Sequence, residues 1–153
     1  MSEVLGALQD RSFAQSTAAT AVSYPPERRL SAAQLASYLD RRKFAVVSST
    51  RPDGRPHTAM SVFIRRGTTF WLPTMAGSVR ERNLRATPWL TMVIAESDHP
   101  THIAVIIEGP AEVVEGPLVP ADVRAAATAD WVSSWIRLTA ERLLSYADES
   151  AQP

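Results

Sequence analysis

Two apolar runs joined by a proline–aspartate–glycine turn constrain the fold of this chain more than any other feature. Phe44 to Thr50 (FAVVSST) is rich in β-branched residues, which suit a pleated, half-buried strand. Arg51-Pro52-Asp53-Gly54-Arg55-Pro56 follows. There proline presets one backbone angle, aspartate bonds the nearby backbone and glycine admits a left-handed conformation, so the chain reverses. His57 to Arg66 returns as the second arm, alternating a Thr58, Met60, Val62, Ile64 row with a His57, Ala59, Ser61, Phe63 row. Successive side chains of a strand point to opposite faces, so one row meets a core. For the other, small near its centre, two readings stand: the outer side of an ordinary strand, or a surface against which something flat lies.

The same period continues downstream. Thr68 to Leu72 follows the Gly67 turn, and Trp89 to Ala95 has hardly a polar residue and is expected to be central. His102 to Val114 is broken at Gly109-Pro110, where a bulge or barrel corner fits. Val132 to Leu138 reads as a last strand and Glu141 to Tyr146 as a turn or short strand. Helical signals are few. Ser31 and Gln34 form a capping box after Leu30, opening a packing helix that runs to about Arg42, and Pro120 to Ala129 has helical composition. Six or so strands at hairpin spacing predict a mainly β protein, a closed or nearly closed antiparallel barrel. Residues 1–24 lack sustained periodicity and are expected to be a flexible arm, with at most a helical turn near Val4 to Leu8. Residues 25–148 then form the domain and 149–153 a tail.

A chain of 153 residues forms one domain burying roughly 70% of its unfolded surface. Its formal net charge is zero, which argues against a nucleic-acid surface. With no cysteine, disulfides and thiolate metal sites are excluded. Lys43 stands alone against fifteen arginines, leaving little room for Schiff-base chemistry. No signal peptide and no run of about 18 apolar residues is present, so the expectation is a cytoplasmic protein with no membrane partner.

The chemistry concentrates between Trp71 and Pro88 (WLPTMAGSVRERNLRATP). Pro73 closes a buried strand, Ala76-Gly77 turns the chain, and Ser78-Val79-Arg80-Glu81 has the spacing of a capping box. A helix N-terminus carries unpaired N–H groups and about half a positive charge. Thr74, Ser78 and Arg80 add two hydroxyls and a guanidinium there, with Arg82 and Arg85 close by in sequence, and arginine's planar fork matches a phosphate. On residue types alone two readings stand: a phosphate site, or a simple cap beside a solvated arginine face.

The familiar catalytic patterns are absent: there is no HExxH, GxSxG or Walker sequence. His99 and His102 flank Pro100 in an expected loop and make a poor metal pair, and His57 reads as a surface or interface residue. Glu108, in an apolar strand, is expected to be a paired structural carboxylate rather than a general acid. No catalytic side chain and no metal site is assigned. A phosphate site without an acid–base pair is what a cofactor-driven reaction requires of its protein.

Asp53-Gly54-Arg55-Pro56-His57, then Thr74, Ser78, Arg80, Asn83-Leu84 and Pro88, then Glu108-Gly109-Pro110-Ala111 with Val113-Val114, together resemble the pyridoxamine 5′-phosphate oxidase-like flavin-binding family. The resemblance is nearest to its small flavin/deazaflavin-dependent oxidoreductases and spans about Leu30 to Val114, with a fainter echo at Trp135 to Tyr146. It implies a six-stranded split β-barrel of the FMN-binding type, which dimerises and holds its cofactor between the subunits. By position, Thr74, Ser78 and Arg80 would hold the cofactor phosphate, and Met75 and Val79 would be among the cofactor-binding residues. Ala59, Met60, Ser61 and Val62 would line the ring, largely through backbone groups. Two basic positions of the oxidases are occupied here by Val79 and Ala59, and their pyridoxal-phosphate residues find no match. The implied activity is therefore hydride transfer between FMN or coenzyme F-420 and a small conjugated substrate, not pyridoxamine phosphate oxidation. The rival readings are a module that binds flavin without turnover and a barrel for another ligand such as haem or a nucleotide.

Overall fold

A computed structural model describes residues 2–98 and 102–148. The hairpin forms as its turn dictates: β1 (Phe44–Thr50) pairs antiparallel with β2 (Pro56–Val62), from Phe44 opposite Val62 to Thr50 opposite Pro56. Asp53 accepts a bond from the Arg55 amide at 3.0 Å, and Gly54 takes a positive φ of 86°. At Phe63 the run leaves β1. Its amide still reaches the Lys43 carbonyl at 3.1 Å, but Ile64–Arg66 (β3) turns at Gly67 and pairs with β4 (Thr69–Thr74).

That change of partner closes the barrel. The strand order is β2-β1-β5-β6-β7-β4-β3, with β5 spanning Trp89–Glu96, β6 Ile103–Val114 and β7 Ser134–Thr139. Its two ends, β2 and β3, are one continuous stretch of chain, so the sheet curls until they meet. As expected, β5 is central, with Leu90, Met92 and Ile94 inside and the alternate residues outside. Phe70, Leu72, Val105, Ile107, Ile136 and Leu138 complete the interior.

The barrel corner falls at Gly109. One side of β6 pairs with β5 over Ile103–Pro110. Its other side pairs with β8 (Arg142–Ala147) over Ile103–Glu108 and with β7 over Ala111–Val114. The turn joining β7 to β8 presses directly on Gly109, where a Cβ would lie 2.0 Å from the Thr139 carbonyl oxygen. The mainly β split barrel stands, but the expected six strands become eight among the described residues. β3 is a strand of its own, and the segment expected as a turn or short strand at 141–146 forms the full strand Arg142–Ala147.

The expected flexible arm is corrected. Glu3–Ala14 is a helix (α1) and Ala18–Ser23 another (α2). Leu5, Leu8, Gln9 and Ser12, at helical spacing, are all buried against the barrel. Among the described residues β8 pairs only with β6 and would otherwise present a free edge; α1 covers it. Ser12 Oγ donates to the Leu8 carbonyl at 2.7 Å and accepts from the Leu143 amide at 2.9 Å. Gln9 Nε2 donates to the Leu30 carbonyl at 2.8 Å, and the Ser145 hydroxyl donates to Gln9 Oε1 while accepting from the Leu30 amide. Half of this buried stripe is polar, so the hydropathy pattern shows only two leucines. The next helix, α3 (Ala32–Arg41), keeps its expected capping box and buries Leu35, Tyr38 and Leu39. The expected tail, 149–153, lies outside the described residues.

Candidate functional site

The seam of the barrel opens into a cleft. β3 and β4 pair as far as Ile64 opposite Trp71. Beyond that point β4 continues along β7, while the chain on the other side belongs to β1. The strands part and leave a cavity of about 350 Å³. Met60, Ser61 and Val62, with Phe44 from β1, form one side of its lining; Pro73, Thr74 and Met75 continue it. Ser78 and Arg80 reach in from α4 (Val79–Ala86), and Trp131 from the segment before β7.

The helix mouth is built by short-range chemistry. Gly77, at φ 76°, turns the chain; the Ser78 amide donates to the Met75 carbonyl at 3.2 Å, and Ser78 Oγ accepts the Glu81 amide at 3.2 Å. A helix leaves its first amides without intrahelical partners, and here those of Val79 and Arg80 remain. The Thr74 and Ser78 hydroxyls lie 3.3 Å apart. Glu81 reaches back one residue further than the expected capping box, accepting from the Gly77 amide at 3.3 Å and from Arg85 Nη2 at 3.3 Å. Asn83 and Leu84 do not face the cleft. Asn83 Nδ2 bonds Ser49 Oγ at 3.1 Å and Leu84 is buried in the core, which together fix α4 onto the barrel.

Burial by itself raises the Glu81 pKa, but the neighbouring Ser134 hydroxyl, the Gly77 amide and Arg85 outweigh it and hold the carboxyl below its ordinary 4.5. A carboxyl whose pKa is lowered on folding stabilises the fold fully above its unfolded pKa and loses that contribution as pH falls through the folded value. Glu81→Gln should therefore be less stable than the wild type at pH 7, with the gap in urea midpoint narrowing below pH 4.5. A gap independent of pH would show that the charge on Glu81 does not hold the mouth.

Arg80 is the electrostatic centre of the cleft. Nη2 makes one long contact, 3.5 Å, to the Met60 carbonyl, whereas Nε and Nη1 are buried with no partner among the described residues. Burial pulls its pKa below the ordinary value. Buried donors are normally satisfied, and leaving one unpaired costs about 1–3 kcal/mol, more for a charged group. A guanidinium fork held dry beside two hydroxyls and two free amides fits a phosphate. The two neighbouring arginines do not join it: Arg82 is exposed and Arg85 pairs with Glu81.

Of the nine residues expected around a cofactor, the cleft brings together Met60, Ser61, Val62, Thr74, Met75, Ser78 and Arg80. Ala59, opposite Val47, and Val79, the first residue of α4, are outside the lining. Phe44, Pro73 and Trp131 line it without having been expected. Phe44 pairs with Val62 and Pro73 precedes Thr74, so the strand pattern could have found both. Trp131 lies 53 residues beyond Ser78 and carries no local signal.

The other candidates lie elsewhere. The His57 pKa is lowered by burial, then by Arg51 and Arg80. His102 packs edge-on against Tyr146 at 5.5 Å, and His99 is outside the described residues. Glu108 bonds Thr91 at 3.4 Å and Arg142 at 3.5 Å, the paired role expected of it. Among the described residues no group of His, Asp and Glu could hold a metal ion, and no helix is long and apolar enough to cross a membrane.

A curled antiparallel sheet split along one seam, with a capped helix opening into the split, defines a split-barrel protein. The chain belongs to the pyridoxamine 5′-phosphate oxidase family, whose model matches residues 31–147. Similar solved structures include the conserved hypothetical protein Rv2991 of Mycobacterium tuberculosis, at 22% identity and TM-score 0.67, covering 80% of this chain and 88% of that one. An FAD-binding protein of Mesorhizobium loti (14%, TM-score 0.67, 80% and 98%) shares the fold. So does the FAD-binding protein of Mycobacterium smegmatis (19%, TM-score 0.63, 78% and 97%). No curated protein matches the sequence.

Proposed function

We propose that this protein is a flavin- or deazaflavin-dependent oxidoreductase that binds FMN or coenzyme F-420 in the cleft between β2 and β4 and acts on a small conjugated substrate. The observation that carries the reading is the Arg80 guanidinium, buried with Nε and Nη1 unpartnered beside Ser78 and Thr74. An anionic phosphate supplies the missing acceptors. FAD-binding proteins of the same fold support a flavin over other phosphorylated compounds. When bound, such a cofactor supplies hydride transfer. Arg80, Ser78 and the first α4 amides would fix its phosphate, and the unpaired edge of β2 at residues 60–62 would meet its ring. Among the described lining residues Arg80 is the only ionisable side chain, so the protein binds and orients while solvent or the cofactor handles protons. Pyridoxamine phosphate is not the substrate favoured, since Ala59 and Val79 replace two basic positions.

The same reading makes the working form a homodimer. Phe44, Val46 and Met60 are 55%, 42% and 61% exposed on one face of the hairpin, with Val93 opposite Val46. Phe44 and Met60 also line the cleft, so a second copy covering this face would wall the site. Sedimentation should show a dimer at micromolar concentration and a monomer for Val46→Glu.

The decisive experiment releases bound cofactor from the purified protein and identifies it by mass, then titrates the stripped protein with FMN and F-420. Binding of either supports the reading, and binding of neither removes it. Reduction of the loaded protein then separates enzyme from carrier, because an oxidoreductase hands electrons to an added quinone faster than free cofactor does.

A further inference from the structure

Trp131 is half exposed, at 48%, on a turn closed by the Val132 amide donating to the Ala129 carbonyl at 3.0 Å. A large apolar ring at such a position is usually free to move; here the chain that follows it is anchored. Val132 packs into the small cluster of Trp71, Val114, Val119, Val123 and Trp135. Ser133 is tied twice to the strand end of the cleft, its amide donating to the Thr74 carbonyl at 3.0 Å and its Oγ accepting the Ala76 amide at 2.8 Å. The backbone that carries the indole is thus fixed at the cleft by bonds to Thr74 and Ala76, next to the Thr74 side chain and the Gly77 turn. Among the described residues it and Phe44 are the aromatic rings of the lining.

We propose that Trp131 is a ring-binding residue: its indole lies against the planar conjugated ring of the phosphorylated ligand whose phosphate Arg80 holds. The inference rests on the function proposed above and extends it, giving the ring its own protein partner, separate from the anion site. Aromatic stacking adds to simple area burial, and indole suits a flat heteroaromatic system because it offers a wide face at little conformational cost. Ser133 acts as a positioning residue for Trp131.

The test titrates stripped wild type, Trp131→Ala, Trp131→Phe and Arg80→Ala with FMN, with phosphate-free riboflavin, and with F-420 in parallel. For the ligand that binds the wild type, Trp131→Ala should weaken affinity about fivefold to tenfold and Trp131→Phe should recover most of the loss. If FMN is that ligand, riboflavin should lose as much in Trp131→Ala but nothing further in Arg80→Ala, and the long-wavelength broadening of the bound chromophore should vanish in Trp131→Ala. Circular dichroism confirms that each variant is folded. Wild-type binding with unchanged affinity and spectrum in Trp131→Ala would overturn this inference and leave the proposed function standing. Failure of the wild type to bind FMN, riboflavin and F-420 would overturn both.

Discussion

Gly109→Ala is expected to destabilise the protein by about 3 kcal/mol or more, enough to lose most soluble material at 37 °C. A Cβ there would sit 2.0 Å from the Thr139 carbonyl oxygen and 3.0 Å from the Glu141 nitrogen. Both are backbone atoms. Neither can swing aside as a side-chain tip would, because the Glu141 amide donates to the Glu108 carbonyl at 3.0 Å and Thr139 is the last residue of β7. Relief requires the β7–β8 turn to lift off β6 at the one place where β6 exchanges partners. Gly116→Ala serves as the control, since a Cβ there meets nothing within 4 Å; it should be neutral or slightly stabilising. The measurement is the urea midpoint of both variants. A Gly109→Ala protein within about 0.5 kcal/mol of wild type would mean that the corner is loosely packed.

Arg80→Ala should move binding and stability in opposite directions. Losing charge-assisted bonds to a phosphate costs about 1.5–3 kcal/mol, roughly a tenfold to 150-fold weaker Kd for FMN or F-420. The unliganded fold should hold or gain stability, because two buried, unpartnered guanidinium nitrogens leave with the side chain. Arg80→Lys keeps the charge but not the planar fork, and should fall between wild type and alanine. Titration calorimetry paired with thermal melts of the stripped protein reads both quantities. Unchanged affinity in Arg80→Ala would take this residue out of the site; a large drop in melting temperature would make it structural.

What could be read from the residues was whatever depends on neighbours in sequence. The Pro-Asp-Gly hairpin, the Ser31 box and the Ser78 cap are local, and each formed where expected apart from Glu81 bonding Gly77 rather than Ser78. Most of the cleft followed, because residues 60–62 and 74–80 are short runs whose strand and helix placement fixes their direction. Long-range features stayed hidden. Nothing near Phe63 shows that one run will serve two strands. Gln9 and Ser12 look like surface residues until Leu143, Leu30 and Ser145 are seen to need partners. Trp131 enters the cleft only because β7 lies beside β4.

The helix laid along β8 has a practical meaning for anyone handling the protein. Trimming the first dozen residues, by design or by a contaminating protease, would strip the Leu143 amide of its serine acceptor and bare a ladder of hydrogen-bonding groups to solvent. Such a preparation should stick to itself through that margin, so clumping in a shortened sample would report a missing cover and not a weak interior.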